Sequence, residues 1–194
     1  MNDDFLKKIE WRVEQFRHFQ DSSKLSTFQE ALKIINEALA SGNKILVFGN
    51  GGSATQASHF AAELVNRFYF NRKPLPALAL TSDMACITSI GNDTDFKYIF
   101  SRQLEALGKE GDIALGLTTG GRSPNIMEAF RSAKSTGLRT IALCGPYTGE
   151  LETAGVETII SIPSQDTPVI QELHLFFLHM AAEILEKNLL TGDK

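Results

Sequence analysis

The chain has 194 residues, 43% of them hydrophobic and 22% charged, with a formal net charge of −4. That length supports one sizeable core, and the acidic balance argues against a broad nucleic-acid footprint. No apolar run approaches the ~20 residues that span a bilayer and no charged-then-apolar leader opens the chain, so a cytoplasmic, non-membrane protein is expected.

Cys86 and Cys144 lack CxxC spacing, which points to small core residues in a reducing compartment rather than a disulfide or cysteine metal site. Residues 4–20 carry Phe5, Ile9, Val13, Phe16 and Phe19 on one helical stripe. So large an apolar face needs cover, from its own domain or from another subunit. Ser26-Thr27-Phe28-Gln29 reads as a capping box opening a helix through Ala40, with Ala31, Leu32, Ile35 and Leu39 as its apolar face and Gly42 beyond its end.

Lys44–Phe48 is a short apolar run, hence a buried strand. It leads into Gly49-Asn50-Gly51-Gly52-Ser53 and then a helix over Ala54–Phe70, with Ala57, Phe60, Ala61, Leu64 and Phe68 at helical spacing. Strand, glycine turn and helix together make a place for an anion or a sugar hydroxyl. Asn71–Pro74 is a loop, Ala77–Leu80 a second strand, and Thr81–Ile90 a helix ending at the turn signal Gly91-Asn92-Asp93. Phe96–Leu107 is amphipathic through Ile99, Phe100 and Leu104.

Ile113–Leu117 is a third strand, followed by the loop Thr118-Thr119-Gly120-Gly121-Arg122-Ser123 and a helix opened by Pro124 that ends before Gly137. Thr140–Cys144 and Thr158–Ile162 are further strands, with a helical turn at Glu150–Ala154 between them. A long helix, Pro168 to Leu190, closes the chain. Strands alternating with helices predict an α/β fold: a mainly parallel five-stranded sheet in a flavodoxin-like αβα sandwich. No linker, repeat or low-complexity tract divides residues 1–194, so one domain is expected.

Two features carry chemistry. The loop Thr118–Ser123 offers hydroxyls, two glycines and a helix start, which suit a phosphate; a flexible turn with Ser123 as a simple cap fits the same residues. Arg122 fits either an anion contact or a solvated loop tip. Neither glycine loop matches a dinucleotide or nucleoside-triphosphate signature. His59 and Glu63 are four residues apart on one helix face, and Gln171 and His179 are eight apart on another, with His174 about 60° off that face. An isolated histidine such as His174 reads as a hydrogen-bonded core residue. Together, two histidines, a glutamate and a glutamine suit either a mixed nitrogen–oxygen metal site or an acid–base pair. Spacing alone does not bring the two helices together.

The residues Gly49–Ser53, His59-Phe60-Ala61-Ala62-Glu63-Leu64, Gly91-Asn92-Asp93, Thr118–Asn125 and Ile170-Gln171-Glu172-Leu173-His174 resemble a sugar isomerase (SIS) domain, and more narrowly the bacterial phosphoheptose isomerases. The resemblance runs over nearly the whole chain. It implies a homotetramer with active sites at subunit interfaces, in which helices within residues 1–41 pack on the core and on neighbouring subunits. It implies a zinc ion held by His59, Glu63, Gln171 and His179. Substrate-binding positions would be Asn50, Gly51, Gly52, Ser53, Glu63, Asn92, Asp93, Thr118, Thr119, Gly120, Ser123 and Gln171. Glu63 would be the catalytic base and His179 the acid.

The implied reaction is aldose–ketose isomerisation of sedoheptulose 7-phosphate, feeding heptose units of lipopolysaccharide or capsule. A non-catalytic relative that binds a replication initiator, or an isomerase of another sugar phosphate, are the alternatives. Against the family pattern, Gly120 stands for the third hydroxyl of the phosphate loop, Arg122 for an asparagine, and Pro168-Val169 for an Asp-Arg pair.

Overall fold

A computed structural model of the chain describes residues 2–20 and 24–191. Its helices are α1 (Asn2–Gln20), α2 (Lys24–Ala40), α3 (Gly52–Val65), α4 (Met84–Asp93), α5 (Ser101–Leu107), α6 (Pro124–Ser135), α7 (Gly149–Thr153) and α8 (Thr167–Thr191). The strands β1 (Ile45–Gly49), β2 (Ala77–Ala79), β3 (Ile113–Thr118), β4 (Arg139–Cys144) and β5 (Thr158–Ser161) form one sheet in the order β2-β1-β3-β4-β5. Every neighbouring pair is parallel.

The sheet is buried on both faces, which is why β1, β3 and β4 are nearly continuous apolar runs rather than alternating ones. Ile45 and Val47 point into a core shared with α2, α3 and α8. Leu46 and Phe48 point into the opposite core, which α5 and α6 complete. At Gly116 a Cβ would stand 2.4 Å from the Phe130 ring and 3.0 Å from that of Phe48, so the strand is glycine where two phenylalanines meet over it.

Four boundaries differ from the sequence expectations. Helix α2 is already under way at Lys24, so Ser26–Gln29 lies within its first turns instead of opening it. Helix α3 stops at Val65, not Phe70, because other groups take the backbone from there on: Arg72 donates to Glu63 O and Leu64 O, and the amides of Phe68, Tyr69 and Phe70 go to Glu186. Gly91-Asn92-Asp93 forms the last turn of α4, whose N-cap is Asp83 accepting from Cys86 N–H, and not a turn outside it. The stretch Phe96–Leu107 is split into a 3₁₀ turn, Phe96–Tyr98, and α5, since Asp95 caps the first piece by accepting from Lys97 N–H.

On α1, Phe5, Ile9, Val13 and Phe16 remain between 37% and 66% exposed; the side chain of Phe19 lies outside the described residues. Cys86 and Cys144 are free thiols; Cys144 is buried, as the sequence suggested, whereas Cys86 on α4 is only half-buried and not a core residue. Among the described residues no helix is long and apolar enough to cross a membrane.

Candidate active site

The chain order reverses between β1, which is followed by β2 on one side, and β3 on the other. The crevice at the carboxyl ends of these two strands is where open α/β sheets take ligands, and both glycine loops lie there. The first turns at Gly51, whose φ of +56° only glycine adopts freely. Gly52 begins α3, and Ser53 is buried, its N–H donating to Asn50 O at 3.0 Å. The second loop leaves β3 at Thr118, whose hydroxyl accepts Gly121 N–H at 3.2 Å. Gly121 has φ +64°, and a Cβ there would stand 2.0 Å from Tyr147 O. Thr119 O packs on Gly145 in the same way, so the loop is braced against residues 145–147.

Gly120 faces open space. Ser123 holds the N-cap position of α6 but makes no side-chain cap bond; its carbonyl accepts from Ile126 and Met127. Arg122 is exposed, its guanidinium 6.0 Å from the Tyr147 ring centroid.

The two loops are tied together. Asn50 Nδ2 donates to Asn125 Oδ1 at 2.9 Å and Asn125 Nδ2 returns the bond to Asn50 Oδ1 at 2.8 Å. Asn125 is 2% exposed; the sequence reading counted it in the motif Thr118–Asn125 but gave it no role of its own.

Gln171 bridges the glycine loop and α8. Its carboxamide occupies the space a Cβ on Gly52 would take, 2.6 Å from Nε2, and its carbonyl accepts from Gln56 Nε2. Pro168 is exposed in the first turn of α8, and Val169 is buried. Asn92 and Asp93 are exposed at the end of α4, where Asn92 Nδ2 donates to Asp93 Oδ1 at 2.8 Å.

Two turns further along α3 and α8, three predicted residues converge. His59 Nε2 lies 3.1 Å from Glu63 Oε1 and 3.0 Å from His179 Nε2, and His179 Nε2 lies 3.8 Å from Glu63 Oε1. One ligand atom from each falls within 4.8 Å of the others. Glu63 Oε2 is buried and has no hydrogen-bond partner among the described residues. Two imidazole nitrogens and a carboxylate oxygen, with an orphaned oxygen beside them, fit a divalent cation of the zinc type.

His174 is elsewhere. It is fully buried, as expected of a core residue, beside the backbone of Cys144. Burial pushes its pKa down to about 4, and the nearby Cys144 backbone opposes this only in part.

The profile of the SIS domain family matches residues 4–145. A phosphoheptose isomerase of Thermodesulfovibrio yellowstonii is 48% identical over 162 residues, 84% of this chain and 80% of that protein. The chain is a member of the SIS-domain phosphoheptose isomerase family. A second such relative, from Geobacter sulfurreducens, is 46% identical over 87% of each chain. The solved structure of a phosphoheptose isomerase from Francisella tularensis is 35% identical, with a TM-score of 0.90 over 95% of this chain and 97% of that one.

The sequence reading did not find Arg72 and Glu186. Arg72 looked like part of a polar loop, yet its side chain is only 2% exposed and pairs with the fully buried Glu186, Nε to Oε1 at 3.1 Å. The available signal was Glu186 itself, seven residues after His179 and so on the same face of an otherwise apolar helix. Burial alone would raise the Glu186 carboxyl. The amides of Phe68, Tyr69 and Phe70, with Arg72, outweigh it and hold the carboxyl below the usual carboxylate range.

Proposed function

We propose that this protein is an aldose–ketose isomerase that converts sedoheptulose 7-phosphate to D-glycero-D-manno-heptose 7-phosphate in the cytoplasm. The convergence of His59, Glu63 and His179 carries the reading: it puts a carboxylate and two imidazoles at one point, two turns along α3 from the glycine loop that opens it. Relatives named phosphoheptose isomerase at 43–48% identity support it.

In this reading Glu63 removes a proton from C1 of the ketose while His179 gives one to the C2 oxygen, forming an enediol. Glu63 then returns its proton to C2 and His179 takes the proton from the C1 hydroxyl, leaving the aldehyde. Each such acid–base group is typically worth about 10²–10⁴ in rate. A zinc ion would be held by His59, Glu63 and His179; Gln171, whose carboxamide packs on Gly52 two turns before His179, is not among the three that converge. When bound, it would polarise the carbonyl and orient the sugar oxygens.

The phosphate belongs to Thr118, Thr119, Gly120 and Ser123, whose hydroxyls and backbone lie at the start of α6. The sugar hydroxyls belong to Asn50–Ser53 and Gln171, with Asn92 and Asp93 at the outer rim. Binding energy gathered at the phosphate positions the reacting carbons at a distance. The uncovered face of α1 supports assembly with further copies, the homotetramer of the resemblance.

Incubation of purified protein with sedoheptulose 7-phosphate, with added zinc and with a chelator, tests the reading. An aldoheptose 7-phosphate that forms with zinc and not with the chelator is the expected result. No turnover by a folded, zinc-loaded protein would overturn the substrate assignment.

A further inference from the structure

The carboxyl end of α3 is closed by a device outside the proposed chemistry. Arg72 Nη2 donates to Glu63 O at 2.9 Å and Nη1 to Leu64 O at 2.8 Å, where Leu75 N–H also donates at 3.0 Å, so one guanidinium reaches two carbonyls that the helix end leaves unpaired. Its Nε pairs with Glu186. The Glu186 carboxylate accepts three successive backbone N–H groups, Phe68 at 3.0 Å, Tyr69 at 2.7 Å and Phe70 at 3.0 Å. The loop after α3 is thereby fixed at both ends of one buried ion pair. Within that loop the Phe68 ring stacks on His179, centroids 5.7 Å apart and planes 28° from parallel.

We propose that the Arg72–Glu186 pair, with Phe68, is a positioning device for the proton-handling residues: Arg72 fixes the backbone that carries Glu63, and Glu186 sets Phe68 as the wall that orients the His179 ring. The inference rests on the assignment of Glu63 and His179 as base and acid. None of the three residues need touch substrate. Their removal would act on the alignment of the reacting groups, which is sensitive to displacements of about 1 Å, and not on the phosphate loop, which lies at the other end of α3.

The chain has four histidines, so ring-labelled protein shows few signals, and His179 is assigned from a His179→Gln variant. Phe68→Leu and Glu186→Gln should each displace the His179 ring signal, since the stacked ring current is lost or moved, while the His174 signal stays in place. Both should lower kcat about 10- to 100-fold with KM changed by no more than about 2-fold. Arg72→Lys, which keeps the charge but loses the two-carbonyl fork, should fall with them. If Glu186→Gln fails to fold, Phe68→Leu decides, because it leaves the buried pair intact. An unmoved His179 signal in Phe68→Leu overturns the inference, as does a moved signal with wild-type kcat or an effect on KM alone. The signal is read without substrate, so it separates this inference from the isomerase reading, which fails instead if the wild type turns over no sugar phosphate.

Discussion

His59 Nε2 stands 3.0 Å from His179 Nε2, although 120 residues separate them in the chain. Two imidazole nitrogens this close either share one proton or face a common electrophile. With Glu63 Oε1 at 3.1 Å from His59 and Glu63 Oε2 buried without a partner among the described residues, the second arrangement accounts for all three groups. Equilibrium dialysis against zinc should then find one ion per chain in the wild type. His59→Gln and His179→Gln should each lose it while retaining the wild-type circular dichroism. Full zinc occupancy in either variant would contradict the site.

The reciprocal Asn50–Asn125 bonds hold the two ligand loops at a fixed separation. Asn125→Ala takes both of these partners from the Asn50 side chain, and a lost buried hydrogen bond of this kind costs about 1–3 kcal/mol. Urea denaturation should show that loss. KM for the sugar phosphate should rise as well, because the loops no longer meet the ligand together.

The two glycines of the second loop should behave oppositely. Gly121 has φ +64° with Tyr147 O where a Cβ would go, so Gly121→Ala should cost at least about 2 kcal/mol. A Cβ on Gly120 would meet nothing within 4 Å, and Gly120→Ser should stay within about 0.5 kcal/mol of wild type. Thermal melts of the pair give the contrast directly.

Acid should weaken the fold through His174. Its pKa is about 4 in the folded chain against 6.5 ordinarily, so the unfolded chain binds the extra proton first. Stability is unaffected above pH 6.5 and declines as pH falls toward 4, by about 2 kcal/mol at pH 5. Glu186, whose pKa is lowered, contributes stability that is lost only below the ordinary carboxylate range, so the window between pH 5 and 6.5 belongs to the histidine. His174→Phe should flatten the pH dependence of urea midpoints across that window.

The sheet and both loops were legible because their signals are local. Strands buried on two faces are written as unbroken apolar runs, and Gly49–Ser53 and Thr118–Ser123 each follow one. The pair His59 and Glu63 was legible from helical spacing. That His179 meets them was implied only by family resemblance, since it depends on α8 packing along α3. The end of α3 was misread because Phe68 continues the helical pattern while its amide is held by Glu186, 118 residues away. Long-range side-chain caps leave no periodic trace.

The most direct test is isomerisation of sedoheptulose 7-phosphate in heavy water, followed by NMR, with the wild type beside Glu63→Gln. The account predicts deuterium at the carbon next to the product carbonyl in the wild type. It also predicts a rate lower by about 10²–10⁴ in a folded Glu63→Gln protein. A folded Glu63→Gln protein that exchanges and turns over at the wild-type rate would contradict the central claim that this carboxylate is the base.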